Sequence, residues 1–387
     1  MASRFLDHYR QRVLLLDGGM GTSVQNMDLD LKEDFWNKEN CTEVLVLSRP
    51  DAVQEIHESF YEAGSDAVET NTFGGMPHVL GEFDLQDQAR ELCRKAAEIA
   101  RAAADKHQTP EKPRFVIGAM GPGTKLISLG QIEWDTMYDS YREAALGLID
   151  GNVDAILLET CQDLLQIKCA LNAITDAMDE LGVRPAVNRG DEGIPIMVQV
   201  TIEQMGTMLT GSAISAAGVA LRGYPICSLG MNCATGPEDM AEHVKWLAEC
   251  WDLGINLLPN AGLPQLIEGQ TVYPLQPEAF AEQVGKFVDQ FGLDMVGGCC
   301  GTTPEHIRAL AESIGDRAPA KIEKQPFPHA VTSLYGVVDY RQEASLLNIG
   351  ERCNASGSRK FKRLLEEEDW DEMVSLARDQ MKEGSHV

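Results

Sequence analysis

Positive charge is scarce in this chain. Its 387 residues hold 33 Lys and Arg against 60 Asp and Glu, a formal net charge of -27. Sequence-independent nucleic-acid binding needs a positive field, so no nucleic-acid partner is expected. No run of 18 or more apolar residues occurs, so no membrane span is expected either. The first residues, Met1 to His8, lack the long apolar stretch of a signal peptide. The chain therefore reads as cytoplasmic, where thiols stay reduced or ligate metals. The eight histidines show no metal-like spacing. There is no internal repeat of solenoid period and no low-complexity tract.

What is present in abundance is alternation. Apolar runs ending in glycine or in a small or polar residue cover 13–19, 67–73, 115–121, 155–160, 196–201, 226–233, 255–260 and 295–299. Runs this continuous suit strands buried on both faces of a parallel sheet. Helix-like segments separate them, at 53–63, 85–106, 135–149, 163–181, 211–222, 238–251, 277–290 and 304–314. Pro237, Pro277 and Pro304 stand at or near helix starts, where proline is tolerated. Eight strand–helix alternations predict an α/β fold, a (β/α)8 TIM barrel over residues 1–316. A doubly wound open sheet is the alternative from alternation alone. Polar residues at so many strand ends favour the barrel, because that fold gathers its site at the C-terminal ends of the strands.

After about residue 316 the periodicity fades and Pro319, Pro326 and Pro328 punctuate the chain. Residues 317–345 read as a linker wrapping the barrel. A strand-like run, Leu346 to Arg352, and a charged helical segment near 370–383 follow. Some forty residues can barely form a core of their own. Residues 346–387 are expected to be the start of a second α/β domain, cut short.

Ten cysteines are present. Cys93, Cys169, Cys227 and Cys250 fall in apolar settings and read as small buried hydrophobes. Cys299 and Cys300 differ, because they are adjacent, in Gly297-Gly298-Cys299-Cys300-Gly301. Neighbouring side chains on a strand point to opposite faces. The pair can serve one site only where the backbone bends, and the flanking glycines permit that. With Cys233, in Gly230-Met231-Asn232-Cys233, they could form a three-thiolate zinc site with an open fourth position. A vicinal disulfide, or one buried and one exposed free thiol, is the competing reading.

Asp17-Gly18-Gly19-Met20-Gly21-Thr22 is a glycine-rich turn without the Gly-Lys-Ser/Thr of a nucleotide loop. Backbone N–H groups there could cradle a carboxylate; the competing reading is a tight turn that needs glycine. Asp17 and Glu159, both at strand ends, could together hold an ammonium group; singly, each would more often be a cap or a surface charge. Asn260 could donate or accept at the same mouth, or serve its own turn.

These motifs resemble the homocysteine S-methyltransferase family. The resemblance rests on Asp17-Gly18-Gly19, Glu69-Thr70-Asn71-Thr72-Phe73, Glu159-Thr160, Asn232-Cys233 and Gly297 to Pro304, and covers about residues 10–316. It implies a zinc ion on Cys233, Cys299 and Cys300, with the sulfur of homocysteine as fourth ligand. It also implies that the amino acid is held near Asp17, Gly18, Thr72 and Glu159. The run Asn348 to Phe361 is similar to the opening of a methyltetrahydrofolate-binding domain, although Cys353 and Ala355 depart mildly from its pattern. That domain order resembles the cobalamin-dependent methionine synthase family. It implies attack of the zinc-bound homocysteine thiolate on the methyl group of methylcobalamin. No Asp-x-His-x-x-Gly signature occurs, so cobalamin and folate are expected to be bound by downstream modules absent from this chain. A betaine- or S-methylmethionine-dependent homocysteine methyltransferase is the rival enzyme, and a non-catalytic zinc- or thiol-binding protein the rival of another class.

Overall fold

The computed structural model describes residues 3–267, 270–343 and 345–387. Eight parallel strands carry the fold: β1 Leu14–Leu15, β2 Ala67–Glu69, β3 Phe115–Met120, β4 Ala155–Cys161, β5 Ile194–Val200, β6 Ser228–Asn232, β7 Gly254–Leu258 and β8 Met295–Val296. Their order is β1-β8-β7-β6-β5-β4-β3-β2. Eight longer helices alternate with them: α1 Pro50–Ala63, α2 Ala89–His107, α3 Trp134–Asp150, α4 Leu164–Glu180, α5 Ile214–Leu221, α6 Pro237–Cys250, α7 Pro277–Phe291 and α8 Pro304–Ile314. This is a nearly closed (β/α)8 barrel. Each element falls on its sequence-predicted segment, with ends shifted by a few residues.

Local chemistry accounts for the elements. α1 begins on Pro50 and stops at Gly64, whose φ of 119° suits glycine. Its Val53, Ile56 and Phe60 form one buried stripe. All six residues of β3 are buried, because a barrel strand has helices on one side and the barrel interior on the other. Phe115 and Ile117 join the interior cluster with Leu157, Met197 and Met295. Val116 and Met120 join the layer beneath the helices. A short helix, Arg4–His8, closes the lower end of the interior. Its Phe5 stacks on Tyr9 at 5.2 Å and meets Phe115 edge-on at 5.5 Å.

The seam between β1 and β2 has no regular ladder among the described residues. Asp66 bridges it instead. Its N–H donates to Leu15 O at 2.7 Å, and its carboxylate accepts the Leu15 N–H at 2.9 Å. The Arg12 guanidinium grips both carboxylate oxygens at 2.7 Å.

Residues 317–343 run along the outside of the barrel. Lys324 Nζ donates to Ala248 O at 2.7 Å, and Gln325 N–H to Glu249 O at 2.7 Å. Phe327 meets Trp251 edge-on. A two-stranded hairpin, Ala330–Thr332 with Val337–Asp339, then reaches α5, where Ala213 N–H donates to Tyr335 O. The run Leu346–Arg352 is not a strand. Its backbone bonds reach His386 and Val387 and, through a local turn, Asn354, whereas a strand needs a neighbouring strand to satisfy its amides. The helical expectation beyond it holds, at Trp370–Lys382. No described helix is long and apolar enough to cross a membrane.

Candidate functional site

The polar residues singled out from sequence gather at the C-terminal ends of the strands. Asp17, Thr72, Cys233, Asn260, Cys299 and Cys300 lie one to four residues past β1, β2, β6, β7 and β8, whereas Glu159 lies within β4. Side chains from positions 17 to 300 thus share one mouth.

Backbone departures from strand geometry bring the thiols together. Cys233 and Ala234 are left-handed, with φ of 61° and 56°, a conformation that non-glycine residues keep only where their surroundings hold them. The Cys233 N–H donates to Leu258 O on the neighbouring strand. After β8 the chain turns sharply. Thr302 donates to Cys299 O through both N–H and Oγ1, at 3.2 and 2.6 Å. The Cys300 N–H donates to Asn260 Oδ1 at 3.0 Å, and the Ala261 N–H to Cys300 O at 3.0 Å. Gly301, at φ 78°, completes the bend.

The Sγ atoms of Cys233, Cys299 and Cys300 therefore all lie within 4.8 Å of one another. Cys233 and Cys300 are 3.8 Å apart. Two thiolates at tetrahedral angles on zinc–sulfur bonds of about 2.3 Å would stand about 3.8 Å apart. The donor set and spacing fit zinc, and all ten cysteines are free. Hydrogen bonds from Cys233 and Cys299 pull the Cys300 thiol well below its ordinary range. The same bonding pushes Cys299 up. The three are half-buried, whereas Cys93, Cys169 and Cys227 are core residues as expected, and Cys250 is half-buried.

Buried acids flank the thiols. Asp17 Oδ2 accepts the Glu69 N–H at 3.1 Å, while Asp17 Oδ1 is buried without a partner. Burial pushes Asp17 well above the usual carboxylate range, against its backbone hydrogen bonds, and Glu159 adds to the rise. Glu159 is raised to about 8, first by burial and then by its proximity to Cys300. Buried carboxylates without a counter-charge suit a cationic ligand.

The remaining anticipated residues have definite places. Thr72 Oγ1 donates to Ala119 O at 2.7 Å and meets Thr70 Oγ1 at 2.6 Å. The Gly19 N–H donates to Thr302 Oγ1 at 3.0 Å. A Cβ on Gly18 would press on Thr302 and Phe60, and one on Gly19 on the Cys299 carbonyl. These glycines let the first loop lie directly against the cysteine loop. Asn260 holds the Cys300 backbone. Sequence reasoning missed Asn232. Its Oδ1 accepts the Thr160 N–H at 2.9 Å, and its Nδ2 donates to Thr160 Oγ1 at 2.8 Å and reaches Cys299 Sγ at 3.9 Å. It holds Thr160, at φ 56°, in place beside Glu159. Its adjacency to Cys233 and its inward position on β6 were the available signals.

The fold is similar to that of the homocysteine methyltransferase MmuM from Escherichia coli. The TM-score is 0.60 to its metallated form, at 20% identity over 78% of this chain and 96% of that one. It is 0.58 to the oxidized form, at 20% identity over 79% and 97%. In sequence, the chain is 45% identical over 384 residues to a methionine synthase of Mycobacterium tuberculosis. It is 43% identical over 386 residues to that of Mycobacterium leprae. Each match covers 99% of this chain and 31% of the relative, so the chain spans about a third of those proteins. Residues 14–314 match the model of the family described as homocysteine S-methyltransferase, and with that match over this site and fold, the chain belongs to the homocysteine S-methyltransferase family.

Proposed function

We propose that this chain is the homocysteine-binding barrel of a cobalamin-dependent methionine synthase. The observation that carries the reading is the convergence of Cys233, Cys299 and Cys300 beside two buried acids. The three cysteines would hold zinc, which when bound supplies a substrate thiol in its deprotonated, nucleophilic form. Asp17 and Glu159 would take the ammonium group of homocysteine. The backbone at Gly18 and Gly19, with Thr72 nearby, would face its carboxylate. Asn260 orients Cys300 by accepting its N–H, and Asn232 orients Cys299. The reaction assigned to the site is methyl transfer from methylcobalamin to the homocysteine sulfur, giving methionine.

The match to methionine synthases runs through the whole chain and past residue 314, where the family match ends. This supports a longer protein whose folate- and cobalamin-binding modules lie downstream. Residues 1–316 are then the barrel, 317–345 a linker and 346–387 the opening of the folate-binding module. Reduced thiols at the site suit a cytoplasmic protein. Adding homocysteine to the zinc-loaded protein should replace one non-sulfur zinc ligand with sulfur, read by X-ray absorption at the zinc edge. A coordination shell that stays unchanged overturns the assignment.

A further inference from the structure

A third acid, Glu69, lies with Asp17 and Glu159. Glu69 ends β2, and its Oε1 is buried without a hydrogen-bond partner, as is Asp17 Oδ1. The Glu69 N–H is the group that holds Asp17 Oδ2, so the two carboxylates start from one point in the fold. Ala67 of β2, Leu157 of β4 and Met197 of β5 lie in the interior cluster. Strand alternation puts Glu69, Glu159 and Gln199, each two residues further on, on the same inward side, one step nearer the mouth. Gln199 is fully buried and neither of its amide atoms has a partner. Asn256 Oδ1, on β7, is likewise buried and unpartnered.

Of the five unpartnered atoms in this layer, four are acceptors, Asp17 Oδ1, Glu69 Oε1, Gln199 Oε1 and Asn256 Oδ1, and one is a donor, Gln199 Nε2. Leaving such groups unpaired is costly. After burial, the groups that most raise the Glu69 carboxyl above its ordinary range are Glu159 and Asp17, because carboxyl groups this close disfavour one another's ionisation. An ammonium group answers the unpartnered Asp17 and Glu69 oxygens and the crowding of acidic groups together, because it carries three N–H donors and a positive charge.

We propose that Glu69 is a direct ligand of the substrate's α-ammonium group, forming with Asp17 and Glu159 a pocket of three carboxylates that selects thiols bearing a primary ammonium. The proposal rests on the reading of the site as a homocysteine site, and extends it by one residue and a selection rule. Each carboxylate takes one N–H, and the ligand's charge offsets the repulsion among the three.

The test is Glu69→Gln in the zinc-loaded protein, with calorimetric titration of L-homocysteine and of 4-mercaptobutanoate, the same thiol acid without its amine. The natural protein should prefer homocysteine. The variant should lose about tenfold or more in homocysteine affinity, the effect of a lost charged hydrogen bond. Its affinity for 4-mercaptobutanoate should change less than about twofold. With zinc content unchanged, the ligand-free variant should also melt at a higher temperature, because a buried unpaired acid has become a neutral amide. A structural role would lower it. A variant that keeps the full preference, or loses both ligands equally, overturns the role of Glu69 alone. A natural protein that shows no preference overturns the amino-acid reading and this proposal together.

Discussion

Cys300 owes its character to residues far from it in sequence. The sulfurs of Cys233 and Cys299 lie against its own, Asn260 fixes its N–H, and its carbonyl takes the Ala261 N–H. The glycines flanking the cysteine pair made a bend legible, but not the direction of that bend. Glu69 shows the same limit. It stood in a motif with no stated role, and only its unpartnered oxygen beside Asp17 makes it distinctive. His57 illustrates burial without function. It is fully buried in α1, neither ring nitrogen has a partner, and burial lowers it to about 4 from an ordinary 6.5. The folded state keeps it neutral while the unfolded chain takes a proton below pH 6.5. The unfolded state then binds more protons, so stability falls as pH drops from about 6.5 to 4. The size is up to about 3 kcal/mol. Chemical denaturation of His57→Leu and the natural protein at pH 7 and pH 4 should show the variant gaining relative stability at the lower pH. A difference independent of pH would refute this account.

Among the elements, the helices were the most readable. Proline starts, glycine stops and apolar stripes recur at predicted positions, because those signals act within one turn of helix. The loops after the strands were not readable in the same way. The cysteine loop is set by Thr22, Thr302, Pro259 and Asp17, which reach it from other loops or fold it back on itself. Gly301 is its tightest point. It is left-handed, and a Cβ there would collide with the Tyr273 ring. Gly301→Ala should cost about 1–3 kcal/mol of stability. Because this loop orients Cys299 and Cys300, two of the three proposed zinc ligands, zinc affinity should fall about ten- to a hundredfold. Thermal melting and competition with a zinc chelator measure the two effects. Unchanged zinc affinity would show that the loop tolerates a different path. The tail makes the same point from the other side. The apolar run at Leu346–Arg352 has strand composition and forms no strand, since no ladder partner is at hand.

For the whole molecule, the barrel makes the site by closure. Asp66, Arg12 and Leu15 join the first and second strands, which places Asp17 beside Glu69. On the proposed reading the methyl donor is borne by modules outside this chain. The chain supplied with free methylcobalamin and homocysteine should then form methionine, while betaine and S-methylmethionine should not serve. Methionine formed efficiently from either small donor, read by chromatography, would move the chain to the rival enzyme class. The sequence by itself determined the alternation of eight strands and helices, the placement of polar residues at strand ends and the three candidate thiols. Those properties follow from local propensity and from the period of burial. Only the tertiary structure decided that Cys233 and Cys300 stand 3.8 Å apart, that Asn232 and Asn260 orient the cysteine loop, and that Glu69 joins Asp17 and Glu159. Those distances are set by strand register and loop packing across the nearly closed barrel, which no local stretch of sequence encodes.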